Sequence, residues 1–242
     1  MSGSITGVVL AAGAGERMGV PKLLLPFRDR TVLNATLAAV ETSRVDRVIV
    51  VTGANAEAVE ASLLAVRAAV ARNPDFRRGN MSSLLTATAT DPDAEAFILV
   101  AGDQPTTRTD VIDAMVELWN EERPWAAVAN YDDRIANPFL ISRPALEDAA
   151  EMTGERVLGR LLIESGADRV ARLRVAGPAP RDVNTPEEYE SLLSGEGLEA
   201  PGEGWFGGDD ADATHGRVDA ASRMRRVVVD TMSDRAVPPT DE

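Results

Sequence analysis

At 242 residues and 44% hydrophobic content, the sequence is long enough for one large α/β domain with an appendage. It has no cysteine, and its one histidine, His215, lies in a polar stretch rich in Gly and Asp, so disulfides, thiolate metal sites, cysteine nucleophiles and Ser-His catalysis are excluded. Any metal must be held by oxygen, and the formal net charge of −14 argues against nucleic acid as a partner.

The N-terminal MSGSITG lacks the basic and apolar regions of a signal peptide, and no apolar run reaches the roughly 18 residues of a membrane span. A cytoplasmic protein without a membrane partner is expected. Ile5 to Leu10 reads as a buried strand that runs directly into Ala12-Gly13-Ala14-Gly15, where small side chains let backbone N–H groups approach a ligand closely. Arg17 and Lys22 follow in the same short loop, so two cations and several amides face one place, which suits a polyphosphate. Lys22 is also the only lysine in the sequence, the other 24 basic side chains being arginine. An ammonium is a compact point charge that a planar guanidinium does not replace at a tight phosphate site.

Strand and helix then alternate, which predicts a mostly parallel sheet with helices on both faces. Thr31 to Thr42 reads as a helix, Val45 to Val51 as a strand and the alanine-rich Ala54 to Ala71 as a helix closed by Pro74. Asn80 to Ala89 looks helical, Ala96 to Ala101 is a buried strand and Thr109 to Asn120 is an amphipathic helix. Trp125 to Asn130 and Pro138 to Ile141 read as an antiparallel pair at one side of the sheet. Helices at Pro144 to Glu151 and Val157 to Glu164, a half-exposed strand at Val170 to Val175 and a last helix at Pro186 to Leu193 complete a body of residues 1–194. From residue 195 the composition turns to Gly, Pro and acidic residues, and residues 196–242 carry 11 acidic and 5 basic side chains, so residues 195–242 read as a mostly disordered tail. A short amphipathic helix over 217–232 is the one element expected there.

In a doubly wound sheet, ligands collect beyond the carboxyl ends of the strands. The strand ending at Ala101 leads into Gly102-Asp103-Gln104-Pro105, where Asp103 is placed to bind a Mg²⁺ bridging protein and phosphate. Asp182 or Asn184, just before the last helix, offers a second oxygen ligand, although Asn184 is also an ordinary helix-cap residue. Asn80-Met81-Ser82-Ser83 puts amides and two hydroxyls at a helix N-terminus, where they read as a cap or as contacts to a base or ribose. Gly13-x-Gly15-x-x-x-Gly19 has one residue too many for a dinucleotide fingerprint, and no acidic residue ends the second strand, so NAD binding is disfavoured.

Together, LAAGAGERMGVPK, GNMSSLL, GDQP and DVNTPEEY occur in the order and spacing of MobA-like nucleotidyltransferases, and the chain most resembles the molybdenum cofactor cytidylyltransferases over residues 5 to 194. The resemblance implies a Rossmann-like, GT-A-like domain that joins CMP from CTP to the terminal phosphate of molybdopterin with Mg²⁺. It implies nucleotide contacts from Leu10, Ala11, Ala12, Gly13, Ala14, Gly15, Met81, Ser82 and Ser83, catalytic roles for Lys22, Arg17 and Asp103, and Mg²⁺ on Asp103 with Asn184 or Asp182. A monomer that serves a molybdoenzyme is expected. The chain departs from many members at Asn137-Pro138, where His-Pro is common, and at Asp182-Val183-Asn184, which lies between the motifs of cytidylyl and guanylyl members. Alternatives are another phosphorylated acceptor, a non-catalytic cofactor carrier and, more distantly, a nicotinamide-dependent oxidoreductase.

Overall fold

The computed structural model describes residues 4–150, 157–165 and 167–198. The chain enters through β1 (Ile5–Ala11), a small hairpin of β2 (Pro26–Phe27) and β3 (Arg30–Thr31), and α1 (Val32–Glu41). It continues through β4 (Arg47–Thr52), α2 (Ala56–Ser62), β5 (Ala68–Arg72), α3 (Asn80–Thr90), β6 (Ala96–Ala101) and α4 (Thr109–Glu122). Then come β7 (Ala126–Asn130), β8 (Ile135–Ser142), α5 (Arg143–Ala150), the short α6 (Val157–Gly159), β9 (Val170–Arg174) and α7 (Pro186–Gly195). The expected helix over 217–232 and the tail beyond residue 198 lie outside the described residues.

Seven strands form one sheet in the order β5-β4-β1-β6-β8-β7-β9. Neighbours pair in parallel except at β8, which runs against both β6 and β7. The antiparallel pair predicted from sequence is therefore present, but β8 lies inside the sheet, between β6 and β7, and β9 takes the edge. Burial explains the order. Leu140 and Ile141 of β8 are fully buried, whereas β9 alternates between covered and exposed positions as an edge strand does.

Successive residues of each central strand feed opposite faces of the sheet. Val9, Val50, Ile98 and Val100 pack with α1 and α4 on one face, while Val8, Ile49, Val51, Phe97 and Leu99 pack with α3 and α5 on the other. A third cluster joins Met18, Leu25 and Phe27 to Val183, Tyr189 and Leu192, which clamps α7 against the hairpin. Tyr189 donates its hydroxyl to the Pro26 carbonyl at 2.6 Å, and its burial raises its pKa. Thr185 caps α7 by accepting from the Glu188 amide, and Pro186 occupies its first turn.

The single helix expected over Ala54 to Ala71 is instead the shorter α2 followed by β5. Two side chains of α1 divert the chain. Asn34 donates to the Ser62 carbonyl and accepts from the Leu64 amide, at 2.8 and 2.9 Å. Glu41 Oε1 then accepts from the amides of Val66, Arg67 and Ala68 at 2.8 to 3.0 Å. Five backbone groups are thus satisfied outside a helix, and Ala68–Arg72 gains a parallel ladder with β4, so tertiary bonds override alanine's helix preference.

Glu60 fastens this region. Its carboxylate accepts from Thr52 Oγ1 at 2.8 Å and from Arg72 Nε and an Arg72 terminal nitrogen at 2.7 Å, which joins α2 to the ends of β4 and β5. The Arg72 bond, opposed by desolvation and helped by Thr52, holds the Glu60 pKa below its ordinary value of 4.5. A lowered folded-state pKa contributes stability above the ordinary value and loses it as pH falls through the lowered one. Glu60→Gln should therefore lower stability at neutral pH by about 1 kcal/mol or less, the usual worth of a solvent-facing pair. Thermal melts of both proteins at a series of pH values should begin to converge as the pH falls below 4.5 and coincide only below the lowered folded-state pKa.

Candidate nucleotide site

The site begins where β1 ends. Ala11 and Ala12 are buried at the end of the strand, and Gly13 and Ala14 emerge at the surface. Gly15 has φ +64°, a left-handed conformation that glycine adopts without strain, and it lies over the aliphatic stem of Lys22. The turn from β4 is pressed against this loop, with the Ala54 amide donating to the Ala12 carbonyl at 3.0 Å. A Cβ on Gly53 would lie 2.8 Å from the Ala12 carbonyl oxygen and from the Cβ atoms of Ala12 and Phe76, so no larger residue fits. A cleft of about 520 Å³ opens here, with Gly15, Pro21, Gly53, Asn55, Phe76 and Arg77 among its walls.

Beside this loop, at the end of β6, the chain presents Asp103. The Gly102 amide donates to the Leu10 carbonyl at 3.0 Å, and a Cβ on Gly102 would come within 2.9 Å of that same oxygen. Glycine thus lets the end of β6 follow the end of β1. Lys22 Nζ donates to Asp103 Oδ2 and, at 2.9 Å, to Asn184 Oδ1. The Lys22 and Asp103 side chains are only 14% and 17% exposed, so this ion pair works in a medium of lower dielectric than water. The segment before α7 is tied to the same loop. The Val183 amide donates to the Asp103 carbonyl at 3.1 Å, and Gln104 Nε2 donates to Asp182 Oδ1 at 2.7 Å. Asp182 remains exposed as a residue, but its carboxyl end is packed against this loop. That desolvation raises its pKa, the Gln104 bond lowers it and the negative charge of Asp103 raises it further.

The donor set fits a hard divalent cation. Asp103 Oδ2 and Asn184 Oδ1 converge on one cation, the Lys22 ammonium, and both are oxygens. Among the described residues no group of three or more Asp, Glu, His or Cys side chains could hold a metal by itself. Mg²⁺ suits such a partial set, because it takes one or two carboxylates and completes its shell with water and substrate phosphate. Asp103 and Asn184 would hold it, with Asp182 beside them.

The structure therefore brings together Lys22, Asp103, Asn184 and Asp182 with the Ala12 to Gly15 loop. Arg17 is exposed on the short turn after that loop and makes no ion pair among the described residues. Leu10 is half-buried and packs toward the α3 face of the core. Met81, Ser82 and Ser83 open α3, and Met81 packs into the core. The Ser82 and Ser83 hydroxyls accept from Asn73 Nδ2 at 2.8 and 3.0 Å, so they brace the turn that carries Phe76 and Arg77. Asn73, 2% exposed, also accepts from the Asp75 amide. Sequence reasoning missed Asn73, Gly53, Asn55, Phe76, Arg77 and the pairing role of Gln104. Gly53 had a usable signal, since it follows a strand end as Gly102 does; the others had none.

Because Gly53 touches both loops, Gly53→Ala should destabilise the fold by about 1 to 3 kcal/mol, as overpacking does, and should weaken nucleotide binding. Thermal melting and a CTP titration would check both effects.

Residues 7–170 match the MobA-like NTP transferase domain family. Purine catabolism protein PucB of Bacillus subtilis (strain 168) is 28% identical over 204 residues, 78% of this chain and 95% of its own. Molybdenum cofactor cytidylyltransferase of Escherichia coli (strain K12) is 28% identical over 145 residues, covering 60% of this chain and 73% of that one. Nicotine blue oxidoreductase of Paenarthrobacter nicotinovorans is 39% identical over a shorter stretch of 104 residues, 42% of this chain and 50% of that one. Rv0371c of Mycobacterium tuberculosis H37Rv, solved in complex with manganese, shares the fold with a TM-score of 0.66 at 32% identity, covering 79% of this chain and 98% of that one. With the match spanning β1 to the start of β9 and the glycine loop, Lys22 and Asp103 all inside it, the chain belongs to the MobA-like NTP transferase domain family.

Proposed function

We propose that this chain is a Mg²⁺-dependent cytidylyltransferase that transfers CMP from CTP to the terminal phosphate of molybdopterin and releases pyrophosphate. The observation that carries the reading is the Lys22 ammonium, held by Asp103 and Asn184 beside a loop exposed at Gly13 and Ala14. CTP is favoured over GTP because Leu10-Ala11-Ala12-Gly13 resembles the cytidylyl form of the loop. The related cytidylyltransferase supports the same choice.

In this reading the amides of Ala12 to Gly15 receive the triphosphate, with Arg17 at its outer end and Lys22 beneath it. An acceptor phosphate oxygen attacks the α-phosphorus in line. The new O–P bond forms as the bond to the bridging oxygen breaks, and pyrophosphate leaves with its electron pair. The nucleophile is already anionic, so no protein base is required, which agrees with a chain that has no cysteine and a single histidine. Bound Mg²⁺ supplies further neutralisation and alignment of the phosphates. The chain itself contributes position and fixed positive charge, the main terms in such a transfer. The spread of activities among the relatives leaves one competing reading, a redox enzyme on the same fold, favoured by the 39% identity to the oxidoreductase. Against it stand the spacing of Gly13, Gly15 and Gly19 and the Thr52-Gly53-Ala54 end of β4, which carries no ribose-binding carboxylate.

Pyrophosphate release should require Mg²⁺, CTP and molybdenum-loaded molybdopterin together, with GTP, ATP and UTP inactive. Oxidation of NADH or NADPH without pyrophosphate release would move the redox reading to the front. Lys22→Ala should lower kcat by about 10²-fold or more, the scale for losing a preorganised electrostatic donor, with the circular dichroism spectrum unchanged. Lys22→Arg should not restore it, since a planar fork does not take the place of the ammonium between two oxygens. Full turnover in either variant would reject the role given to Lys22.

A further inference from the structure

Gln104 follows Asp103 in the loop after β6 and is 3% exposed. Its Nε2 donates to Asp182 Oδ1, while its Oε1 is buried with no hydrogen-bond partner among the described residues. A buried carbonyl oxygen without a donor costs free energy, and methionine or leucine could fill the same space without that cost. The amide is therefore retained for the one bond it makes. That bond crosses between two loops that are also joined by the bonds from Val183 N to Asp103 O and from Arg181 N to Thr106 Oγ1. It acts on a carboxylate that feels the charges of both Asp103 and Lys22. Asp182 sits on an exposed segment, and without a partner its side chain would be free to turn away from the loop. Gln104 removes that freedom from the buried side.

We propose that Gln104 is a positioning residue of the cation site: its buried amide holds the Asp182 carboxylate toward Asp103, so that a second acidic group is fixed where Asp103 and Asn184 converge. The inference rests on the nucleotidyl-transfer reading and its divalent cation, and extends it to a side chain that touches neither phosphate nor metal. Groups that orient metal-binding side chains in this way usually change metal affinity by 10- to 100-fold when removed.

The test uses Mn²⁺ alone as the probe, titrated into the whole chain and followed by electron paramagnetic resonance of the free ion. Gln104→Met, which keeps the length and removes the donor, should weaken Mn²⁺ binding about tenfold or more. Asp182→Asn should weaken it as well, and adding Gln104→Met to Asp182→Asn should cause no further loss, because Gln104 acts only through that carboxylate. In pyrophosphate-release assays, Gln104→Met should raise the metal concentration needed for half-maximal rate while leaving the KM for CTP at saturating metal unchanged. Equal Mn²⁺ affinity in Gln104→Met and the parent chain, or losses that add in the double variant, would overturn the proposal and leave nucleotidyl transfer standing. If Gln104→Met melts below the assay temperature, Asp182→Asn carries the test from the exposed end, and unchanged Mn²⁺ affinity there also overturns it. A parent chain that neither binds Mn²⁺ nor releases pyrophosphate with any nucleotide would reject both readings.

Discussion

One cation between two oxygens organises the functional end of this molecule. Lys22 is 81 residues from Asp103 and 162 from Asn184, yet its ammonium bonds to both. The parallel sheet makes this meeting possible, because β1 and β6 are hydrogen-bonded neighbours that end at the same edge. A half-buried charge is stable only while its partners are in place, and removing one leaves the others desolvated and uncompensated. Asp103 and Asn184 thus constrain the glycine loop, and the loop in turn constrains them. In the proposed reading, incoming phosphate would compete for an ammonium that is already positioned, so little would have to be rearranged on binding.

Polar side chains do for the connections what the apolar clusters do for the sheet. Asn34 and Glu41 direct the chain out of α2 into β5, Asn73 fixes the turn before α3, and Gln104 links the loop after β6 to the segment before α7. At the far end of the sheet, Asp91, 2% exposed, accepts from Thr6 Oγ1 at 2.5 Å and from Arg47 at 3.0 Å. Asn34, Glu41, Asn73 and Asp91 each satisfy several partners at once, and loops so held can carry a site with little loss of order.

Much of this was legible in the sequence, because it rests on local pattern. Ala96 to Ala101 is a strand with the bounds its apolar run announced, and Thr185-Pro186 announced the start of α7. The glycine loop, Lys22 and Asp103 could be read because each stands where a strand ends. What could not be read depends on partners distant in the chain. Residues 54–71 look helical until Asn34 and Glu41 are known to bond their backbone. The interior place of β8 follows from competition among strands for burial, which no single segment reveals. Asn73 and Gln104 look like ordinary polar loop residues, and only their burial shows that they are structural.

The sole lysine has a practical meaning beyond charge. Besides the amino terminus, the sequence offers one primary amine, and in the folded chain that amine is almost covered and bonded to two oxygens. Amine-directed acylation would therefore mark a single interior position, and a lysine-specific protease would find one scissile bond, inside the fold. Both reagents would act only in moments when the loop lifts away from Asp103 and Asn184. Their rates would clock the opening of the candidate site around Lys22 without any engineered label.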